Sequence, residues 1–413
     1  MNKRRNRQYI SLLPEKSTGK KYFSNGLIAP LGWLLFFSLT LMLTFFPVEI
    51  HAQPDTLTVN HELEIEKVLI SGRRSPVVYS RLSRIVDSKA ENELKAMPVS
   101  SVQGALQHVS GIDIRQRGPV GIQGDLSIRG SSFDQNLILL NGIDVTDPQT
   151  GHFSLNLPVD ISNVREIEVL KGPGSRVFGP NAFGGAVNVI TSPLDSNYLS
   201  IDFKVGSHWY GKGTVNGNFS FPGMRHYISF SGSGSQGYAE NTDFKTYNLF
   251  YHGSIDIQKN ELEIQLGHKD KAYGAQSFYT PEYPNQFERT RSSLASITMN
   301  REGKVNLKPA VYWRRHQDRF ELFREDDDWY RRESDYFIRR SADTAKYQSG
   351  IYQPWNYYSD HNYHLTDVYG TKLNASFQTM AGETSMGFDF RSENIWSNVL
   401  GEPMGDTLAA ENE

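Results

Sequence analysis

The stretch IEVLKGPGSRVFGPNAFGGAVNVITS, residues 167–192, decides how this chain is built. Its two apolar runs, Ile167–Leu170 and Ala186–Ile190, have the length and β-branched content of buried strands. Between them fall Gly172, Gly174, Gly179, Gly184 and Gly185, which permit tight turns and close backbone approach. Working back, NLILLNG (136–142) is another continuous apolar run. It ends at Asn141, a short polar residue that tolerates the left-handed geometry a turn needs there. LSIRG (126–130) and IEKVLIS (65–71) add further strands. SSVQGALQHV (100–109) predicts a helix capped by Ser100, with Val102, Leu106 and Val109 on one face and Gly111 ending it. Residues 65–193 therefore predict one compact α+β domain.

Beyond Pro193 the texture changes to strict alternation. In ELEIQLGH (261–268), Leu262, Ile264 and Leu266 face one way and Glu261, Glu263 and Gln265 the other. Residues 247–257, 305–313 and 369–377 repeat the pattern. Tight turns are expected at Pro222-Gly223, Lys259-Asn260, Arg301-Glu302-Gly303 and Ala381-Gly382-Glu383. Long polar connections are expected at 237–246, 269–292 and 318–366. Short turns on one side and long loops on the other are the asymmetry of a membrane β-barrel. Gly232 to Gly237 matches G-x-G-x-x-G, but no helix or βαβ unit surrounds it, so small residues on the lumen side of a strand explain it.

Residues 1–26 are basic, and the apolar run Leu31–Phe46 follows. At about 16 residues the run falls short of the ~20 that span a bilayer. With Ala52 after it, residues 1–52 predict a Sec signal peptide, cleaved before Gln53. Residues 53–64 then form a polar, flexible lead-in.

Composition narrows the function. There are no cysteines, which excludes disulfide scaffolds, Cys-ligated metal and thiol catalysis. The 43 basic and 46 acidic residues leave a net charge of −3, without the basic excess of a nucleic-acid binder. A mean hydropathy of −0.50 opposes a helical membrane protein but not a barrel, whose alternating strands average to a polar mean. The 23 Phe, 21 Tyr and 6 Trp suit strands and membrane interfaces. No G-x-S-x-G, H-E-x-x-H or P-loop is present, so neither an enzyme nor a cofactor is expected.

Three runs carry a resemblance: LQHVSGIDIRQRG (106–118), LSIRGSSFDQNLILLNGIDV (126–145) and 167–192. In that order and spacing they resemble the plug domain of a TonB-dependent outer-membrane receptor. The wording from Arg115 to Phe153 is nearest the cobalamin-transporter-like subgroup. The resemblance implies an α+β plug domain (65–193) followed by antiparallel transmembrane β-barrel strands (194–413). About nine or ten strands are legible, whereas the family's barrels carry about 22. The barrel is thus incomplete in this chain, and some 250 further residues would be needed to close it. The resemblance also implies a cell outer membrane location in a Gram-negative bacterium and active uptake of a scarce chelate or cofactor, of the cobalamin or iron-siderophore class. The implied partners are the TonB energy-transducing complex, outer-membrane lipid, the barrel assembly machinery and the small ligand itself.

Asp55, Thr56, Leu57, Thr58 and Val59 resemble the TonB box, an extended segment able to add as a strand to a partner's sheet edge; residues 65–71 are a second candidate. Arg129 before Gly130, and Lys171 before Gly172, stand where the family places basic residues that pair with glutamates of the barrel wall. Asp326–Asp328, the group Glu240, Asn241 and Asp243, and the pair His361 and His364 are readable as metal ligands, but solvated loops explain them better. Two other readings stay open: a truncated, non-transporting plug-bearing fragment, and a secreted β-rich binding protein.

Overall fold

The computed structural model describes residues 86–175, 181–280, 285–322, 324, 361–380 and 382–399, with short strand pieces at 69–70, 77–78, 330–333, 336–339, 357–358 and 402–403. These residues fall in one unit, 66–413. The signal peptide, the Asp55–Val59 segment and Asp326–Asp328 lie outside the described residues.

β1 (Leu69–Ile70) pairs with β2 (Val77–Val78). The plug follows: β3 (Val86–Ala90), α1 (Glu91–Ala96), α2 (Val102–Leu106), β4 (Ile112–Arg117), β5 (Gln123–Ile128), β6 (Asn136–Leu140), β7 (Ile143–Asp144), β8 (Glu166–Lys171) and β9 (Gly185–Ile190). Its main sheet runs β3-β8-β9-β6-β7, and β4 and β5 form a separate hairpin. β6 and β9 pair in parallel at the centre. A central parallel pair is covered on both faces, which is why NLILL and AVNVI read as unbroken apolar runs rather than alternating ones. Leu137, Leu140, Val169, Val187 and Val189 are all fully buried.

The capping residue of α2 is Ser101, not Ser100: its side chain accepts from the Gly104 backbone N–H at 3.0 Å. The helix also stops at Leu106, three residues earlier than its apolar face predicts. Asn141 is left-handed as expected, with φ 51°.

The wall is an antiparallel meander in sequence order: β10 (Tyr198–Gly206), β11 (Tyr210–Phe221), β12 (Met224–Ser235), β13 (Phe244–Ile257), β14 (Asn260–Gly274), β15 (Phe287–Arg301) and β16 (Val305–Glu321). A small sheet, β17 (Tyr330–Glu333), β18 (Tyr336–Arg339) and β19 (Tyr357–Tyr358), lies in the next connection. The meander resumes with β20 (Asn362–Thr379), β21 (Gly382–Val399) and β22 (Glu402–Pro403). Among the described residues this ten-stranded sheet does not close on itself.

The period-two reading places side chains correctly. Tyr247, Leu249, Leu266, Ile297, Val311, Tyr369 and Leu373 are exposed on the outer face. Asn248, His252, Gln265, Ser292, Arg314 and Thr366 point inward and are buried. Three expectations change. The strands run through much of the expected loops, so the connection after β14 spans only 275–286. Residues such as Asp270, Arg289 and Arg291 are cross-strand ion pairs on extended strand ends, not loop charges. Within 232–237 Ser233 shares the inward face of Ser229 and Ser231, whereas Gly232 lies on the outer face, where the Tyr247 ring covers it. The β13–β14 turn is Gln258-Lys259, one residue earlier than read, with Gln258 at φ 57°.

Candidate functional site

The plug is fastened to the inner wall by three aspartates that divide their oxygens in the same way. Asp144 Oδ1 accepts from Thr146 N at 2.9 Å, and its Oδ2 takes Arg391 at 2.5 Å. Asp147 Oδ1 accepts from Gln149 N at 3.0 Å, and its Oδ2 takes Arg314 at 2.7 Å. Asp160 Oδ1 accepts from Ser162 N at 3.1 Å, and its Oδ2 takes Lys212 at 2.6 Å. One oxygen folds a plug turn, as Asp side chains commonly do. The other anchors a cation of the wall. Both side chains of the Asp147–Arg314 pair are buried. Burial pushes the Asp147 carboxyl up, but Arg314 and His316 override it and hold the group below the ordinary carboxylate range.

Other wall cations clasp plug carbonyls. Lys269 donates to Leu157 O at 3.3 Å, Lys271 to Ile122 O at 2.5 Å, Lys372 to Gly142 O at 3.1 Å and Arg391 to Thr146 O at 2.7 Å. Neutral pairs complete the seam. Asn156 Nδ2 reaches Thr290 and Ser292 at 3.1 and 3.2 Å, and Tyr227 donates to Asn163 at 3.1 Å. Asn141 Nδ2 donates to Gln265 at 2.8 Å, and Thr191 Oγ1 meets His252 Nδ1 at 2.9 Å.

At the long-connection end, the β4–β5 hairpin carries Arg117 and Asp125 towards the β14–β15 connection. His152 Nδ1 lies 2.6 Å from Asp125, and Arg117 lies 3.3 Å from the same carboxylate. The His152 ring stacks on Phe133 at 4.1 Å, and Arg117 sits 5.3 Å from the centre of the Tyr279 ring. Gln123 donates to the Tyr279 hydroxyl at 3.1 Å. Gly118 allows the Phe278 ring to approach, because a Cβ there would stand 3.0 Å from it. This end therefore offers a cation, an imidazole and aromatic faces on a braced plug tip. At the tight-turn end, Asn141, Thr191, His252, Glu261 and Glu263 border a cleft of about 380 Å³.

The expected plug cations behave otherwise. Lys171 pairs inside the plug with Asp87 at 2.9 Å. Arg129 is exposed, in left-handed geometry at φ 53°, and donates to the Lys171 carbonyl at 3.5 Å. Among the described residues neither is joined to a wall carboxylate, and the three anchors place acids on the plug and bases on the wall. Gly130 and Gly172 both have positive φ, 82° and 109°. Gly185 is required by packing, since a Cβ would meet the Leu170 carbonyl oxygen at 2.3 Å. Asp144, Asp147 and Asp160 were not singled out by the sequence. Their turn positions were legible, but their wall partners lie far along the chain.

The metal candidates are otherwise engaged. Arg324 holds Asp243 through both oxygens, at 2.5 and 2.9 Å, and Asn241 donates to Gln286 O at 2.7 Å. His364 Nδ1 meets Ser397 Oγ at 2.8 Å. Among the described residues no cluster of three or more His, Asp or Glu is arranged to hold a metal.

A plug seated against the inner face of an antiparallel wall with an apolar outer face is the architecture of a TonB-dependent receptor. Residues 80–186 match the family model described as the TonB-dependent Receptor Plug Domain, and the antiparallel wall that follows has the fold of the barrel sheets of such receptors. Among curated relatives, the chain is 31% identical over 112 residues to the vitamin B12 transporter BtuB of Vibrio vulnificus strain CMCP6, covering 27% of this chain and 18% of that protein. To the BtuB of strain YJ016 it is 22% identical over 262 residues, covering 60% of this chain and 41% of that protein. The chain thus spans less than half the length of these relatives. Among solved structures, the unliganded ferric citrate transporter FecA superposes with a TM-score of 0.57 at 16% identity, over 79% of this chain and 50% of that one. The siderophore receptor PiuA of Acinetobacter baumannii gives 0.57 at 12% identity, over 79% and 48%. These structural likenesses establish the fold.

Proposed function

We propose that this protein is an outer-membrane receptor of a Gram-negative bacterium that takes up a scarce cofactor or metal chelate, energised through the TonB complex. The observation that carries the reading is the plug held on the inner wall by the Asp144, Asp147 and Asp160 anchors, with its tip turned towards the long connections. A barrier fastened by polar contacts suits a path that is closed at rest. Cobalamin is the first ligand to test, because the sequence relatives are named vitamin B12 transporters; a ferric siderophore is the second. The chain acts as a transporter and not as an enzyme. The Asp55–Val59 segment is the site that engages TonB by strand addition, the export signal of residues 1–52 delivers the chain, and outer-membrane lipid and the barrel assembly machinery are its further partners. The test is uptake of labelled cobalamin by cells expressing the protein, with and without TonB. Accumulation that requires TonB and is lost with Leu57→Pro supports the reading. Binding and uptake that ignore both changes sink it.

A further inference from the structure

A small cavity of about 50 Å³ lies in the seam near the plug tip, bordered by Lys212, Lys269, Lys271, Asp160, Thr246 and Asn248. Three ammonium groups bordering one small space is an unusual concentration of positive charge. Their hydrogen-bond partners leave donors to spare. Lys212 bonds Asp160 and the Ser100 carbonyl, whereas Lys269 and Lys271 each bond one carbonyl. A lysine has three donors. The Thr246 hydroxyl is buried with no partner. Asp160 pairs with Lys212, and Glu288 and Asp318 face Lys271. Ammonium and hydroxyl donors left without partners are costly away from water.

We propose that this cavity binds a single monovalent inorganic anion, of the chloride type, which the spare Lys269 and Lys271 donors and the Thr246 hydroxyl hold between plug and wall. The volume exceeds the ~10–15 Å³ one water-sized guest needs, so the ion carries a water that bonds the unpartnered Asn248 Oδ1. The anion thereby ties wall strands β13 and β14 together beside the plug, whatever ligand the receptor carries.

The test is thermal unfolding of the full chain in detergent, in chloride and in gluconate at one ionic strength. Chloride at roughly five times its dissociation constant is expected to raise the midpoint by about 1–2 °C, saturably. Thr246→Val and Lys269→Met are expected to flatten that dependence. Bromide-soaked crystals are expected to give an anomalous peak in the cavity. Equal midpoints in both anions with no bromide peak would overturn the proposal and leave the cavity to water. If Lys269→Met does not fold, Thr246→Val, which keeps the side-chain shape, decides the question.

Discussion

The interior of the plug and the seam that holds it differ in chemistry within one molecule. Inside, Leu137, Leu139, Val187 and Val189 stack from the parallel pair β6 and β9 with essentially no exposure. At the seam, equally buried positions are Asp147, Arg314, Asn156, Ser292 and Gln265. Apolar burial is non-directional and scales with area, so it makes a body that does not come apart. Charge pairs and amide bonds are directional and exchange readily with water, so their net contribution is small although leaving one unmade is costly. The plug is thus cohesive within itself, whereas its seam with the wall mixes these polar pairs with apolar contacts from Tyr227, Phe250, Leu294 and Tyr312.

The comparison breaks most visibly at Asp147 and Arg314. Arg314→Ala strands a buried carboxylate and is expected to destabilise the seated plug by about 3–5 kcal/mol, read as a lower urea midpoint. Asp147→Leu with Arg314→Met should recover most of that loss, because the charges go together. A core position has no such rescue. Leu139→Ala is expected to cost about 2–5 kcal/mol, and hydrogen exchange should report it within β6 and β9 rather than along the wall. If the double seam variant fares no better than the single one, the seam is not the exchangeable surface described.

Acid sharpens the same contrast. The Asp147 carboxyl is held low, so its contribution is present at neutrality and is lost only as pH falls below about 3.9, the ordinary Asp value. Glu166, at the start of β8, has the opposite sign: burial raises it despite a hydrogen bond from Ser88. Its contribution is full in acid and fades as pH rises through its raised value. Urea midpoints across pH should therefore fall in strong acid for the natural protein and much less for the Asp147→Leu, Arg314→Met variant. The smallest effect belongs to the plug surface. Lys95→Ala removes an exposed i,i+4 pair with Glu91 and should cost about 0.3–0.5 kcal/mol.

What was legible in the sequence follows the range of the interactions. The wall strands were readable at 247–257 and 261–268 because period-two alternation is local and one face is apolar. NLILL and AVNVI were readable as buried strands for the same local reason. Asn141 declared its left-handed turn. The α2 cap was misplaced because two serines stand side by side and either can start a helix. β3 and α1 escaped notice because VDSKAENELKA is charged and short, and its order comes from pairing with β8 far along the chain. The seam was misread in its polarity. Asp147 and Arg314 are 167 positions apart, and no local pattern links them. Lys171 and Arg129 looked like wall contacts, yet Lys171 bonds Asp87 and Arg129 the Lys171 carbonyl, both within the plug.

The sheet orders have a consequence for how the chain acquires its shape. Every neighbouring pair in the wall from β10 to β16 joins strands consecutive in the sequence, so the wall can grow one hairpin at a time. The plug cannot. Its central strand, β9, is the last to be made, and the β3–β8 and β6–β7 pairs are not joined in one sheet until Gly185–Ile190 arrives. Contacts that span so much chain close slowly, because loop entropy is lost before any contact repays it. Plug formation is therefore an all-or-none event late in its own segment, and a cut anywhere between β6 and β9 leaves two pieces that must find each other as separate molecules.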